Sequence, residues 1–402
     1  MDGSRRLLTF ELIGVCLVSF LAICNLTAFY DLFQYLEALG VRPGLRGIVV
    51  GSYSLTAMVL FLVASPLLHA GNATRVMLAG MAILVAAGVS YLFAHAFWSL
   101  LALRMIGGVG QFCLSAGAMA LLVAVIPPEK SGQAFGIYSV AILLGYAVLP
   151  AVMDAFAPLI PTPAHGYAAA TVWLAPAALI VLRIRQRQRR RSGERTRRPV
   201  LPTWPEVRAN MGKPLVLLPL LLNTSYFLNW SSLFFLFKGF ARRQGIANVG
   251  AFFTVQMGVM VLMRLAGGRV FDRVDKARLA GASFTTVALG YLALDLLPGP
   301  WAISPVAGLF GLGMAAGYPA INGFMFEVSE PRFRALNANL MLFAVQAGSF
   351  LGPVVGGALV ARDGYHAYFL FGISAALASA SLVPLLARRR RTLASACVPP
   401  GR

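Results

Sequence analysis

Long apolar stretches separated by short polar segments recur along the whole chain. A helix rises about 1.5 Å per residue, so about 20 apolar residues cross the roughly 30 Å of hydrocarbon in a bilayer. The windows that meet this requirement are residues 10–36, 47–68, 76–95, 98–126, 132–158, 165–182, 214–237, 249–267, 278–297, 301–328, 334–361 and 364–387. We therefore predict an all-α membrane protein with twelve transmembrane spans, numbered below in chain order.

A basic segment interrupts the apolar pattern in the middle of the chain. It holds nine arginines between Arg183 and Arg198 and a single acid, Glu194. Because its charges repel and its apolar content is low, this segment cannot pack into a core. We interpret it as a tether; the alternative, an arm that binds nucleic acid, is disfavoured by the apolar spans on both sides. The predicted units are a first six-helix bundle (1–182), a basic cytoplasmic linker (183–213), a second six-helix bundle (214–387) and a basic cytoplasmic tail (388–402).

The composition lies far outside the range of soluble proteins. Of 402 residues, 58% are hydrophobic and 12% are charged, whereas about a quarter are charged in soluble domains. If the N-terminus is cytoplasmic, 26 of the 34 lysines and arginines fall on the cytoplasmic side and six on the outer side. This asymmetry predicts a multi-pass protein of the cell inner membrane with both termini cytoplasmic. The first apolar run lacks a cleavage site and is interpreted as a span, not as a signal peptide.

The two halves resemble each other at an offset of about 200 residues. Gly166 and Tyr167 open span 6, and Gly364 and Tyr365 open span 12. Such a repeat is typical of transporters whose halves are related by an axis along the membrane normal. We therefore expect two pseudo-symmetric six-helix bundles.

The turn between spans 8 and 9 carries the most specific motif. Residues 268–278 read GRVFDRVDKAR and resemble the GxxxDRxGRR loop of the major facilitator superfamily (MFS). The resemblance implies the fold of that family, transport by alternating access, and a cytoplasmic gate that includes Gly268, Asp272 and Arg273. The alternative is an ordinary basic loop on the inner side of the membrane.

Two further charges and a degenerate loop belong to the same prediction. Glu327 and Arg334 look like the acidic and basic partners that family members supply to this gate, and a charge placed here costs least when paired. The corresponding first-half loop, Ser65–Arg75, has His69 where the family has Asp and Ala70 where it has Arg. We therefore expect a gate built only in the second half. His69 is interpreted as a solvated histidine, with a pH-sensitive group as the alternative.

Span 4 carries a charge that is costly to place in a membrane. Arg104 begins a segment, Arg104–Gly110, that resembles the RxxxGxG motif linked to proton coupling in antiporters of the family. An intramembrane arginine usually faces a cavity or an acid. Asp31, near the outer end of span 1, lies at a similar depth and is the predicted partner. Together they form the predicted proton-coupling site; in the alternative, Asp31 only caps the outer end in a structural salt bridge.

Aromatic and amide side chains recur at helical spacing in several spans. They offer stacking and hydrogen bonds without fixed charge, which suits an amphipathic organic substrate. Packing between helices explains them equally well, because buried amides also bond across helices. The candidate substrate-binding residues are Tyr30, Gln34, Tyr35, Gln111, Asn223, Tyr226, Trp230, Gln256, Tyr318, Asn322, Asn339 and Gln346.

Within the family, the chain resembles the 12-span drug/proton antiporter group, and a second motif bears on this resemblance. Leu351–Gly357 in span 11 is similar to the LGPxxGG motif, which in drug/proton antiporters is characteristic of span 5. Here span 5 has Leu144–Pro150, without the Gly-Pro step. The antiporter assignment is weakened by this difference, since Gly and Pro in a span also serve simply to bend it.

The sequence contains no phosphate-binding loop, metal-ligand cluster or nucleophile-base set, so no cofactor, no metal and no enzymatic activity are predicted. We predict a secondary active transporter, acting as a monomer in the lipid bilayer, that exports small amphipathic or cationic organic molecules in exchange for protons. An uptake symporter or facilitator for a metabolite is the first alternative. A receptor or scaffold that transports nothing is the alternative from another class.

Overall fold

The structure, a computed structural model, is helical throughout the part that it describes. That part comprises residues 9–64, 68, 70–125, 131–191, 204–246, 248–297, 299 and 303–396, and it contains α-helices and short 3₁₀ helices but no strand. The described backbone follows the apolar pattern of the sequence, because only a helix satisfies its own polar groups inside a bilayer.

The first six spans begin and end close to the predicted limits. Local signals explain several starts: the Thr9 side chain accepts from the Leu12 amide at 3.2 Å, and Pro43 and Pro163 stand in the first turns of their helices, where a missing amide costs nothing. The helices are Phe10–Thr27 with Ala28–Asp31 (3₁₀) and Leu32–Ala38 in span 1, Pro43–Val63 in span 2, Ala70–Ser90 in span 3, Phe97–Val125 in span 4, Ser131–Phe156 in span 5, and Pro163–Ala170, Thr171–Trp173 (3₁₀) and Leu174–Arg191 in span 6.

The last six spans follow a short helix that lies within the predicted linker. This helix is Trp204–Met211, and span 6 itself continues to Arg191, so both ends of the predicted linker are helical. The Arg187 guanidinium lies 4.0 Å from the centre of the Phe10 ring, a cation–π contact that helps to hold this extension. The later helices are Pro214–Arg243 in span 7, Gly250–Arg273 in span 8, Lys276–Leu296 in span 9, Ile303–Val328 in span 10, and Arg334–Ala396, which contains spans 11 and 12.

A glycine separates the last two spans. Gly364 has φ 84° and ψ −173°, a non-helical conformation within Arg334–Ala396 that residues with a side chain rarely adopt. Among the described residues, ten helices are long and apolar enough to cross a membrane, one of them containing both spans 11 and 12, and Gly250–Ala266 is a shorter apolar helix. The prediction of twelve spans is therefore confirmed.

The two halves meet where small residues allow backbones to approach. A β-carbon added to Gly47 or Gly51 in span 2 would collide with the backbone of Pro353 or Phe350 in span 11. The Thr254 hydroxyl of span 8 donates to the Ala147 carbonyl of span 5 at 2.9 Å. Small residues are the usual means of close helix packing in membranes, and spans 2, 5, 8 and 11 thus form the contact between the halves.

The turn at Gly364 yields a stability prediction. Replacing Gly364 by Ala forces a β-carbon into a strained conformation, and we expect a loss of about 1–3 kcal/mol of stability. Gly308→Ala is the matched control, because Gly308 is helical and a β-carbon there meets no atom within 4 Å. Thermal unfolding in detergent micelles should show a lower midpoint for Gly364→Ala only. Equal midpoints for both variants would contradict the role given to this turn.

Candidate functional site: a charge cluster and an aromatic site between the halves

A buried lysine is surrounded by acidic and phenolic groups at the end of the bundle opposite the linker. The Nζ atom of Lys238, in span 7, lies 2.6 Å from the Tyr30 hydroxyl, 3.3 Å from Asp154 and 3.7 Å from Asp31. The Tyr30 hydroxyl in turn donates to Asp154. Only 9% of the lysine side chain is exposed. We call Tyr30, Asp31, Asp154 and Lys238 the Lys238 cluster; it joins spans 1 and 5 of the first half to span 7 of the second.

Two further groups donate hydrogen bonds to the carboxylates of the cluster. The Tyr167 hydroxyl donates to Asp31 at 2.7 Å, and the Gly250 amide, the first of span 8, donates to Asp154 at 2.6 Å. A helix N-terminus stabilises a nearby anion. These donors partly offset the excess of two carboxylates over one ammonium group, which would otherwise be costly to bury.

The cationic partner predicted for Asp31 is wrong. Arg104 is buried, but its Nη2 donates to the Val50 carbonyl at 3.2 Å, and its guanidinium lies over the rings of Phe29 and Tyr53. Phe29 stacks on Tyr167 with ring centres 4.3 Å apart, and Tyr167 is the residue that bonds Asp31. Two aromatic rings therefore stand between Arg104 and Asp31, although the two residues lie at similar depths.

Three of the predicted substrate-binding residues lie at the same end of the protein as the Lys238 cluster. Tyr30 belongs to the Lys238 cluster. With its amide oriented to satisfy both polar atoms, Gln34 donates to the Asp31 carbonyl at 3.2 Å and accepts from the Gly239 amide at 3.1 Å. Tyr35 packs edge-on against Tyr167 at 5.8 Å. All three are buried; Tyr30 and Gln34 contact span 7 and so help to join the halves, whereas Tyr35 packs within the first half.

A group of aromatic side chains lies deeper, near the midpoints of spans 5, 7 and 10. Trp230 packs edge-on against Tyr146 of the other half at 5.4 Å and is stacked on Tyr226 at 6.4 Å. Tyr318 lies 6.2 Å from Tyr226 and 5.3 Å from Phe227. We call Tyr146, Tyr226, Phe227, Trp230 and Tyr318 the aromatic site. Its surfaces suit a planar apolar group.

Several predicted polar residues have an atom without a partner. The amide oxygens of Gln111, Asn223 and Gln256 are buried, and none accepts a hydrogen bond within the part of the chain that the structure describes. Their nitrogens donate to the Ser115 hydroxyl at 2.9 Å, the Met341 carbonyl at 2.9 Å and the Met314 sulfur at 3.3 Å. Buried acceptors of this kind are rare, and they indicate where water or a ligand donor binds.

The remaining predicted residues border the aromatic site or lie towards the linker end of spans 10 and 11. Asn322 is one helical turn beyond Tyr318 and donates to its carbonyl at 2.8 Å. Asn339 and Gln346, both half-buried, lie on span 11. Asn322, Asn339 and Gln346 thus all belong to the second half, whereas Gln111 lies on span 4 of the first half.

The predicted gate is described only in part. Gly268, Asp272 and Arg273 lie in the last turns of the span 8 helix, and their side chains fall outside the described part of the chain, as do His69 and residues 65–67. Glu327 forms an ion pair with Lys276 of span 9, and the Arg334 guanidinium lies over the Phe326 ring at 4.6 Å. The Asp275 side chain caps span 9 by accepting from the Arg278 amide at 3.1 Å.

Lys238 and Asp154 were missed as functional residues by sequence analysis. Lys238 was counted among outer-loop charges because the predicted span ended at residue 237. A signal was nevertheless available: the lysine interrupts the run FFLFKGF, and a lysine flanked by phenylalanines at a membrane boundary requires a partner.

Twelve helices that meet in two halves around a buried charge cluster and an aromatic site define a polytopic membrane transporter. The chain belongs to the Major Facilitator Superfamily, whose sequence profile matches residues 15–274 and 220–400. The predicted family and the predicted fold of two six-helix bundles are thus confirmed, and the relatives described next are transporters rather than enzymes.

One relative is the multi-drug resistance efflux pump PmrA of Streptococcus pneumoniae serotype 4 (strain ATCC BAA-334 / TIGR4), which is 26% identical over 310 residues, 74% of this chain and 75% of the pump. The fold also resembles that of a POT family transporter in complex with a thioalcohol-conjugated peptide (TM-score 0.78, 10% identity, 94% of this chain and 96% of that chain). A point mutant of the nucleoside transporter NupG is similar (TM-score 0.73, 12% identity, 94% of this chain and 99% of that chain).

The Lys238 cluster yields a prediction about closure. Lys238→Met leaves two buried carboxylates facing each other, and removing one partner of a buried pair costs about 3–5 kcal/mol. We expect this end of the protein to open. Spin labels at positions 42 and 362, both exposed and on opposite halves, should report a longer distance in a cysteine-free background. Acidic pH should restore the short distance, because protonation removes the repulsion.

The control for this experiment is Lys276→Met. It breaks an ion pair that lies within the second half and at the linker end, so the distance between the labels should stay as in the parent protein. If Lys238→Met also leaves the distance unchanged, the cluster does not hold this end closed.

Proposed function

We propose that this transporter exports small amphipathic or cationic organic molecules in exchange for protons. The observation that carries the proposal is the Lys238 cluster, which places two carboxylates and one ammonium group between the halves. We take the end that contains it as closed, so that substrate reaches the aromatic site from the linker end. In the proposal the linker and both termini are cytoplasmic, the protein is a monomer of the inner membrane, and the cluster is the outer gate.

The charge count of the cluster links closure to protonation. With both carboxylates ionised, the four residues of the cluster have a net charge of −1, which is costly to bury; the exposed Arg242, one turn after Lys238, offsets part of this charge. A proton on one carboxyl leaves a neutral one-to-one pair and favours the closed outer gate. Loss of that proton favours an opening in which water solvates the second carboxylate. Asp31 is the proposed proton acceptor, since Asp154 also receives the amide at the start of span 8.

A transport cycle follows from this link. Outside protons close the outer gate, and the halves rock so that the aromatic site opens to the cytoplasm. Substrate then binds among Tyr226, Trp230 and Tyr318, and loss of the proton to the cytoplasm favours the return. Arg104 donates a hydrogen bond to span 2 and packs on Phe29 and Tyr53. In the proposal it fixes the position of span 1, and therefore of Asp31, within the first half. The aligned relative, an efflux pump, supports the outward direction.

The gate proposed on the linker side uses Gly268, Asp272, Arg273, Glu327 and Arg334. The ion pair of Glu327 with Lys276 joins spans 9 and 10 at that end and supports a rigid second-half surface there. The first half would close against this surface when the outer gate opens.

An uptake symporter is the second candidate. The span 5 helix contains Pro150 but lacks the Gly-Pro step of the antiporter motif, and the protein that resembles this fold at TM-score 0.78 is a POT family transporter with a bound peptide conjugate. The direction of coupled proton movement separates the two candidates. A solute gradient directed outwards should drive protons inwards for exchange, and outwards for symport.

The proposal predicts the behaviour of Asp31→Asn in proteoliposomes that contain an internal pH dye. Addition of a transported solute should move protons in the parent protein, and the variant should lose at least about 90% of that signal because it has no titratable group at position 31. A panel of cationic dyes, amino-acid-like metabolites and sugars identifies the solute.

The control is Asp295→Asn. Its carboxylate is as poorly exposed as that of Asp31, at 13% for each side chain, but it bonds His366 within the second half at 2.8 Å. This variant should retain coupled proton movement. Equal signals from Asp31→Asn and the parent protein would remove Asp31 from the coupling mechanism. If the parent protein moves no solute in the panel, the scaffold hypothesis gains.

A further inference from the structure

The second half carries an intramembrane arginine that the proposed cycle does not use. Arg264 lies just beyond the midpoint of the span 8 helix, Gly250–Arg273, about 21 Å along the helix from its first residue. Its side chain faces span 10, where its Nε atom lies 3.4 Å from the Ala315 carbonyl. The Tyr226 hydroxyl donates to the adjacent carbonyl, that of Met314, at 2.7 Å, and the Tyr318 ring lies 6.2 Å from the Tyr226 ring. Arg264 therefore borders the aromatic site.

Arg264 differs from the other embedded cations in its partners. Lys238 contacts two carboxylates. Arg104 likewise has no ion pair among the described residues, but it is 2% exposed and its guanidinium is covered by two aromatic rings, whereas part of Arg264 remains exposed. Arg264 forms no ion pair within the described part of the chain, and its one hydrogen bond is long. A guanidinium group has five N–H donors, so most of those of Arg264 have no partner among the described residues.

The side chain of Arg264 is not fully enclosed. Arg264 and Tyr318 are both half-buried, with part of each surface exposed, although they lie near the middle of their helices. Span 5 of the other half lies against the aromatic site, since Tyr146 packs on Trp230 at 5.4 Å. The exposed surface of Arg264 thus borders the space between the halves, at the level of the aromatic rings.

An arginine at membrane depth is costly unless an anion or water accepts its hydrogen bonds. Its planar fork matches a carboxylate or phosphate in a bidentate geometry. The neighbouring rings supply stacking surfaces for an apolar group. One ligand satisfies both features: a planar aromatic molecule with an anionic substituent.

We propose that Arg264 binds the carboxylate, or an equivalent anionic group, of an aromatic substrate whose ring lies among Tyr226, Trp230 and Tyr318. The inference rests on the proposed transport function and narrows its substrate class from amphipathic or cationic molecules to aromatic anions and zwitterions. A zwitterion satisfies both descriptions, because its cationic group can lie towards the unpartnered amide oxygen of Gln256.

The test compares two probes of nearly the same shape, the anion 2-naphthoate and the neutral 2-naphthamide, by equilibrium dialysis against the full chain in lipid nanodiscs. The parent protein should bind the carboxylate about tenfold more tightly than the amide, the range expected of a charge-assisted hydrogen bond. Arg264→Gln should remove this preference by weakening only naphthoate binding. Arg264→Lys should retain part of the preference for naphthoate, since the positive charge remains but the planar guanidinium that binds a carboxylate with two hydrogen bonds is lost.

Controls separate binding from folding. Arg362→Gln removes an arginine whose side chain is 87% exposed and should leave both affinities unchanged. Unchanged naphthamide binding by Arg264→Gln shows that the variant is folded. The inference is overturned if Arg264→Gln keeps the preference for naphthoate, if the parent protein binds both probes equally, or if it binds neither.

The same probes distinguish this inference from the proposed function. If Arg264 gives the carboxylate preference but no solute moves protons through reconstituted protein, the anion site stands and proton-coupled transport fails. If Asp31-dependent proton movement occurs with a cationic solute and naphthoate has no advantage, transport stands and the anion site fails.

Discussion

The interaction on which the architecture depends is the burial of Lys238 between Asp31 and Asp154. The lysine belongs to the second half and the carboxylates to the first, so the charges are satisfied only when the halves meet. Removing the contact would expose three ionised groups to water, which solvates them well, and this makes the contact reversible. Tyr30, Tyr167 and the start of span 8 supply neutral donors that lower the cost of the closed arrangement.

The Lys238 cluster and the aromatic site lie at different depths along the helices. The Lys238 cluster lies at the end of spans 1, 5 and 7, whereas the aromatic site lies near the midpoints of spans 5, 7 and 10. Span 7 contributes to both, because Trp230 and Lys238 are separated by about two helical turns. A shift of span 7 relative to span 5 therefore changes the Lys238–Asp154 contact and the Trp230–Tyr146 contact together, which is the physical link that the proposed coupling requires.

Much of the fold follows from the sequence, because hydrocarbon thickness sets the length of each span and positive charge sets its orientation. The turn at Gly364 was placed correctly, since a glycine between two apolar runs signals a break. The partner of Asp31 was not, because the sequence fixes depth along a helix but not the neighbour that each face meets. Lys238 lies 208 residues from Tyr30 in the chain, and their contact depends on how the halves dock. The aromatic stripe of span 7 was predicted, whereas its neighbour Tyr146 in the other half was not.

The contact between spans 2 and 11 has its own consequence. Gly47 and Gly51 bring the backbone of span 2 against that of span 11 near Pro353 and Phe350, so at these two positions no side chain of span 2 inserts between the helices. Interlocked side chains must leave their grooves before helices can move past each other, and that raises the barrier to sliding. At the two glycine positions this barrier is low, so one half can tilt against the other there without first separating interlocked side chains.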